Sequence, residues 1–382
     1  MAREQRISGN PFVFDRPLEP QDLIDREDAL ALLAERLRDG VNTRLSSPRD
    51  YGKTSLLHRA VSDARTADAG AVLVDLYGVR TAGQMAAQIE LAYAELPAGP
   101  LSSALATLRR RGGGVGFQTP LGGATVSLGA GEAAHRALLD ALDLPARLHE
   151  KTGRRMLVIF DEFQVVLNVE LDALIRSVIQ HQGSGVTYVF SGSHPGMMRS
   201  LFSDRKRPFY GQAAPLELHR LPREAVGDYI AEWFQQTKRE AGEALGWLLD
   251  LVDGHPQRSM LFAHLLWRHT PEGAEAGEEE WLAAHGEAWS YLQGDFEATW
   301  DSLSVVEAGV VDAIAAGVQS LTGRAAREIF GLPTGSAAGD AAKRLVEQGL
   351  LSRAGTGRKT RYELVDPVFA RWVARGRRWT LG

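Results

Sequence analysis

The chain has 382 residues, 44% of them hydrophobic, with a formal net charge of −5 and no cysteine. That length implies two or three domains with a sizeable core. The mild acidity gives no global nucleic-acid signature, and the missing thiols exclude disulfides and thiolate metal sites. The cysteine-free composition suits a reducing cytosol, no apolar run approaches membrane-spanning length, and Met1 to Ser8 lacks the apolar core of a signal peptide. The expectation is a soluble cytoplasmic protein with no membrane partner.

Residues 8 to 21, with Pro11, Pro17 and Pro20, read as an extended lead-in to a helix that carries Leu30, Leu33 and Leu37 at helical spacing. Val41 to Ser46 then alternates like a strand edge and runs into Ser47-Pro48-Arg49-Asp50-Tyr51-Gly52-Lys53-Thr54, with a helix beginning at Thr54-Ser55. This pattern reads as a phosphate-binding loop, in which backbone N–H groups wrap the nucleotide phosphates. Lys53 would reach the outer phosphates and the Thr54 hydroxyl would hold Mg²⁺. Ser47 stands where the usual first glycine would be, so a residue with a side chain must make that turn.

Ala71 to Leu76 is the next buried strand and Ala82 to Leu96 the next helix, so strand–helix alternation implies a parallel sheet. Residues 97 to 132 interrupt it with Arg109-Arg110-Arg111, three glycines and two alternating runs, a pattern that predicts a β-hairpin excursion. The arginines read as a solvated helix end. After a helix from Ala134 to Lys151, the apolar run from Met156 ends in Asp161-Glu162. A central strand with this ending delivers Asp161 to orient the Mg²⁺ hydration shell and Glu162 to polarise the attacking water. The following strand, Val186 to Phe190, ends in Ser191-Gly192-Ser193, where Ser193 or Ser191 is placed to sense the γ-phosphate.

From Pro222 the pattern is helical. Gly254-His255-Pro256 reads either as a helix boundary or as a phosphate contact carried on a lid. Residues 271 to 300 combine acidic runs with Trp281, Trp289 and Trp300, the mark of helices with one packed and one charged face. Three further helices, a turn and a strand-like Arg361-Tyr362-Glu363-Leu364 follow in winged-helix order. Arg353, Arg358, Lys359 and Arg361 make the wing basic, whereas the third helix offers only Lys343 and Arg344. Duplex DNA through phosphate contacts, a protein partner and self-assembly all stay open as partner readings.

The phosphate loop, Phe160-Asp161-Glu162-Phe163-Gln164, Phe190-Ser191-Gly192-Ser193, Pro208-Phe209-Tyr210-Gly211, Gly254-His255-Pro256 and Asp366-Pro367-Val368-Phe369-Ala370-Arg371-Trp372 together resemble the archaeal-type ATPases of the AAA+ and STAND-related P-loop NTPases. The resemblance spans almost the whole chain. It implies an α/β fold: an αβα P-loop core of ASCE type over 1–220, a helical lid over 221–300 and a winged-helix domain over 301–382. It implies ATP and Mg²⁺ as cofactors, Ser47 to Ser55 around the phosphates, Thr54 and Asp161 on the metal, Glu162 as base and His255 on the lid. Asp25-Arg26-Glu27 is similar to the family's box beside the adenine, which adds Arg26 to the nucleotide contacts. Gln212 stands where relatives carry arginine, leaving Arg205 or Arg207 as substitutes. The implied function is an ATP-hydrolysing switch; a DNA-binding regulator with structural ATP is the alternative.

Overall fold

The computed structural model describes residues 9–111, 130–318, 320–334, 336–354 and 361–380. Five strands, β1 (Thr43–Ser46), β2 (Gly70–Asp75), β3 (Met156–Asp161), β4 (Val186–Gly192) and β5 (Ala214–Glu217), pair throughout in parallel, in the order β2-β3-β4-β1-β5. β3 and β4 are buried along their whole length, as strands covered on both faces must be, which is why they read as unbroken apolar runs. The order has a direct consequence. β4 lies between β1, which feeds the phosphate loop, and β3, which ends in Asp161, so the two motifs stand two strand spacings apart, about 10 Å.

Helices α1 (Glu27–Asp39) and α2 (Lys53–Thr66) cover one face, packing Leu33, Leu37, Leu56 and Leu57 on Leu45, Ile159 and Val189. The other face is covered by α3 (Ala82–Ala94), α4 (Pro100–Arg111), α5 (Ala130–Thr152), α6 (Val165–Asn168), α7 (Asp172–Ile179) and α8 (Pro195–Ser203). There Phe209, from Pro208-Phe209-Tyr210-Gly211, is 1% exposed and meets Phe163 and Phe190 edge-on, each at 5.3 Å. That signature thus serves as a core anchor.

The expected hairpin excursion over 97–132 is corrected in its first part, because Pro100–Arg111 is helical. Leu101, Ala104 and Leu105 fall at one helical face and are buried; this short apolar period is hard to see beside the arginine and glycine runs. The two alternating runs themselves lie outside the described residues.

Four helices follow the sheet: α9 (Arg223–Gln236), α10 (Ala244–Val252), α11 (Pro256–His269) and α12 (Glu278–Asp301). The tryptophans of α12 face inward, Trp281 against Phe262 and Trp289 against Trp372 and Trp379. Its Glu278, Glu279 and Glu280 occupy the first turn, where the helix dipole favours negative charge. Next come α13 (Val305–Ala315), started by a Ser304/Glu307 capping box, then α14 (Arg324–Phe330) and α15 (Ala337–Glu347). The antiparallel pair β6 (Leu351–Ala354) and β7 (Arg361–Leu364) and a last helix, α16 (Pro367–Ala374), complete the winged-helix order. Asp366 caps α16 by accepting from the Val368 and Phe369 N–H groups. Phe369 and Trp372 then pack on Phe296 of α12. Lid and winged helix accordingly share one continuous hydrophobic core.

α15 also rests on α8 of the sheet layer. At Gly196 a Cβ would stand 2.7 Å from Cβ and 2.8 Å from Cα of Glu347. Gly196→Ala gains at most about 1 kcal/mol of helix propensity but overpacks this contact by roughly 1–3 kcal/mol. The expected outcome is a lower unfolding midpoint in a denaturant titration, and an unchanged midpoint would show that the two helices part freely.

Candidate functional site

The carboxyl ends of β1, β3 and β4 converge where Lys53, Thr54, Glu162 and Ser193 line a cavity of about 390 Å³. The loop between β1 and α2 turns through left-handed backbone at Asp50 (φ 64°) and Gly52 (φ 80°), and only the second is a glycine. This curls the loop back over the start of α2, whose free N–H groups and dipole favour an anion. Ser47, in the place of the usual glycine, is 3% exposed, and its hydroxyl donates to the neighbouring Pro48 carbonyl at 3.2 Å.

Lys53 is 6% exposed, and its ammonium donates to the Ser47 and Pro48 carbonyls at 3.2 and 2.8 Å. Burial lowers its pKa, with Asp161 and Glu162 pulling the other way. The buried cation thus faces two carboxylates and neutral carbonyls, an arrangement suited to accepting phosphate oxygens. The Thr54 hydroxyl lies 3.4 Å from Asp161 Oδ2, and burial raises the Asp161 pKa. Among the described residues no cluster of three or more His, Asp or Glu side chains could hold a metal alone. One hydroxyl beside one carboxylate fits Mg²⁺ instead, which keeps waters and phosphate oxygens in its remaining positions.

Glu162 adopts a left-handed backbone (φ 53°) and its N–H donates to Asp161 Oδ1 at 3.0 Å. The strained turn aims its carboxylate across the tip of β4. There the Ser193 hydroxyl donates to Glu162 Oε2 at 2.7 Å, and the Gln164 amide donates to the same oxygen. His194 Nδ1 is 3.3 Å from both Ser193 Oγ and Gln164 Nε2. Burial, then the Arg49 charge, lowers the His194 pKa and favours the neutral ring.

Pro48, Tyr51, Arg26 and His255 take other positions. The cavity lining includes Arg49, Asp50, Gly52, Lys53, Thr54 and Ser55 from the loop; Ser47, Pro48 and Tyr51 line a separate cleft on its far side. Tyr51 is 5% exposed, its hydroxyl donates to the Val365 carbonyl at 3.2 Å, and its ring meets His255 edge-on at 5.1 Å. His255 is 2% exposed and caps α11 by accepting from the Arg258 N–H; it braces the loop from behind and is not part of the cavity wall. Arg258 in turn pairs with Asp366 at 2.8 Å in a nearly buried ion pair. Arg26 donates to the His219 and Tyr51 carbonyls at 2.8 and 3.4 Å, again behind the loop. Burial overrides the nearby Asp25 and lowers the Arg26 pKa.

Other cavity walls carried no sequence motif. Val13 to Leu18 of the lead-in and Pro256, Gln257 and Met260 of the lid close the cavity, together with Tyr77 at the end of β2. The lead-in is tied to the lid by His264 and Phe12, and to α2 by the Leu18 N–H donating to the Ser55 hydroxyl. Such walls are set by tertiary placement, so only the three prolines hinted at an extended segment here. Gln164 was visible in the strand motif, but its grip on Glu162 depends on the left-handed turn. Neither Arg205, Arg207 nor Gln212 lines the cavity; Arg207 pairs with Asp172 and Gln212 bonds the Tyr210 carbonyl.

A phosphate loop, an acid-bearing strand separated from it by one strand, and a lid followed by a winged helix make up a P-loop αβα fold with a helical lid and a winged-helix domain. The chain is similar over nearly its whole length to the Walker-type ATPase PABY2304 of Pyrococcus abyssi, with 19% identity, a TM-score of 0.69, and coverage of 95% of this chain and 99% of that one. It is also similar to the Aeropyrum pernix ORC2 protein, solved with ADPNP and ADP, at 15% identity and a TM-score of 0.57, covering 97% and 98% of the two chains. No protein-family model and no curated protein matches the chain.

Burial drives the His255 pKa down to about 4. A histidine depressed below its unfolded value near 6.5 takes up its proton more readily in the unfolded chain. Stability is therefore full above about pH 6.5 and falls as pH drops toward 4, by up to about 3 kcal/mol. Urea titrations from pH 7 to 4.5 should show a smaller loss for His255→Gln than for the wild type; equal losses would place the acid sensitivity elsewhere.

Proposed function

We propose that this protein is a Mg²⁺-dependent ATPase that acts as a molecular switch, coupling its nucleotide state to the winged helix. The observation that carries the reading is Tyr51. A residue of the phosphate loop donates its hydroxyl to Val365, between the wing strand β7 and α16, and packs on His255 of the lid. Ordering the loop around phosphates therefore bears directly on the seat of the lid and winged helix, which share one core. A second link joins the Asp50 carbonyl to the Gln257 N–H at the start of α11, at 3.3 Å.

In this reading ATP occupies the cavity between the loop and the lead-in, with Lys53 on the outer phosphates. Thr54 and Asp161 would hold Mg²⁺, which would supply charge neutralisation at the phosphate oxygens. Glu162 accepts the proton of the attacking water. The Ser193 hydroxyl and the Gln164 amide both donate to Glu162 Oε2, which lowers the basicity of the carboxylate toward a water. A damped base makes basal turnover slow and leaves room for activation by a partner. The relatives in the structural comparison support nucleotide binding through the fold they share.

A DNA-binding role is the second reading, supported by the winged-helix order. On α15 Lys343 pairs with Asp340 and Arg344 with Glu307, so the cations of the reading helix are neutralised within the chain. Contact with DNA would fall to backbone phosphates through the wing, whose Arg358 and Lys359 lie outside the described residues.

Lys53→Ala should abolish ATP binding by fluorescence titration, because it removes the buried cation on which the phosphates rest; retained affinity would refute the site. Glu162→Gln should bind ATP as the wild type does while turnover falls at least about 100-fold. Tyr51→Phe keeps the ring and removes only the hydroxyl. It should leave ATP affinity within about threefold, a change under 1 kcal/mol, and abolish the ATP-dependent change in protease sensitivity of the lid and winged helix. If that change persists in Tyr51→Phe, the coupling runs by another route. Duplex DNA added to the wild-type assay tests the second reading, which predicts a faster, salt-sensitive turnover.

A further inference from the structure

We propose that Arg49 is a catalytic residue, an arginine that the phosphate loop itself supplies to the γ-phosphoryl group. The inference rests on the ATPase reading above and names the cation its transition state requires. Arg49 is the third residue of the loop, just before the left-handed turn at Asp50. It is exposed, lines the cavity with Lys53, Glu162 and Ser193, and has no hydrogen bond or ion pair to any described residue. Most other arginines near the loop are already engaged: Arg26 with main-chain carbonyls, Arg220 with the Leu364 carbonyl and Arg258 with Asp366. Arg16 also reaches the cavity, but from the lead-in, not from the phosphate loop.

Arg49 shares the cavity wall with Lys53 and Thr54 of the loop and with Glu162 and Ser193 at the tips of β3 and β4. The Ser193 hydroxyl holds the carboxylate of Glu162. A cation between the lysine and this carboxylate lies on the side of the cavity where the outermost phosphate meets the attacking water. Gln212, just after Pro208-Phe209-Tyr210-Gly211, carries no charge and bonds the Tyr210 carbonyl away from the cavity.

The chemistry needs such a group. The water oxygen forms a bond to the γ-phosphorus, the bond from that phosphorus to the β,γ-bridging oxygen breaks, and ADP leaves with the electron pair. Glu162 takes the water's proton. Negative charge spreads over the equatorial and leaving oxygens, and a planar guanidinium bonds two of them through a fixed fork of parallel N–H groups, a geometry that the point charge of an ammonium does not impose. An arginine so placed contributes most in the transition state and little to ground-state binding.

Turnover and nucleotide binding should be compared in wild type, Arg49→Ala and Arg49→Lys, with Glu162→Gln as the blank. Arg49→Ala should lower kcat about 100-fold or more with KM within about threefold. An exposed arginine belongs below the ~10³–10⁵-fold worth of a fully enclosed one. Arg49→Lys should recover only a minor part, as a point charge replaces a two-pronged donor. Binding gives a readout that needs no turnover: Arg49→Ala should weaken ADP with aluminium fluoride by about the same factor as kcat while leaving ADP alone nearly unchanged. Equal weakening of both ligands, or of neither, would overturn the proposal even if the wild type hydrolyses ATP. If the wild type binds ADP but does not turn over, the fluoroaluminate comparison decides alone. A wild type that binds no nucleotide would refute the ATPase reading itself, and Arg49's role with it.

Discussion

One phenol ties the nucleotide end of the sheet to the helical half of the chain. Tyr51 leaves the phosphate loop in the direction opposite to Lys53, and its hydroxyl ends on the Val365 carbonyl. Burial raises its pKa, so it stays a donor across the physiological range. Around it Arg220 donates to the Leu364 and Val365 carbonyls, and Arg258 pairs with Asp366. These contacts satisfy polar groups that a packed interface would otherwise bury unpaired, at a cost of about 1–3 kcal/mol each. Loop, lid and winged helix meet at a polar junction inside an apolar setting, and a small displacement of the loop is expensive there.

The distribution of the core decides what such a displacement moves. The sheet has its own two hydrophobic layers, whereas lid and winged helix share a third that runs from α9 to α16. Aromatic side chains bind the latter two together, with Phe296 and Trp289 of α12 against Phe369 and Trp372 of α16. Bending between lid and winged helix would open this packing, while bending between the sheet and the pair breaks mainly hydrogen bonds and ion pairs. The weaker seam is therefore the one that Tyr51 crosses.

Much of this was legible in the sequence because it is local. The apolar runs of β3 and β4, the helix start expected at Thr54 and found at Lys53, and the acidic pair Asp161-Glu162 all announce themselves within a few residues, and the parallel sheet follows from their alternation. Pro208-Phe209-Tyr210-Gly211 and Asp366-Pro367-Val368-Phe369 were visible as signatures without a role; the structure makes the first a core anchor and the second a helix cap with two buried aromatics. What stayed hidden depends on direction. A positive φ at Glu162 sends its side chain toward Gln164 and Ser193, and no spacing rule gives that. His255 and Arg26 lie close to the loop in space, yet on its far side, a distinction that periodicity cannot draw. The helix at Pro100–Arg111 was missed because basic and glycine runs crowd its short apolar stripe.

A second connection runs from the phosphate site to the winged helix. Ser193, which holds Glu162, is followed at once by α8, and Gly196 on its first turn lies against Glu347 of α15. The distance from the Ser193 hydroxyl to this contact is three residues of chain. Any event that pulls Ser193 off the Glu162 oxygen, such as the arrival of a γ-phosphate, acts on the base of α8 and so on the rest of α15. α15 is also the helix that would enter a DNA groove in a winged-helix complex, and its carboxyl end is here engaged by the sheet layer. Tyr51 and Gly196 thus hold the same rigid pair of modules at two points, one on the phosphate loop and one on the strand tip. In the switch proposed above, a nucleotide whose phosphates bear on only one point would strain the other, whereas a triphosphate reaching both the loop and Ser193 would act on the two together, and that difference would let such a switch distinguish ATP from ADP.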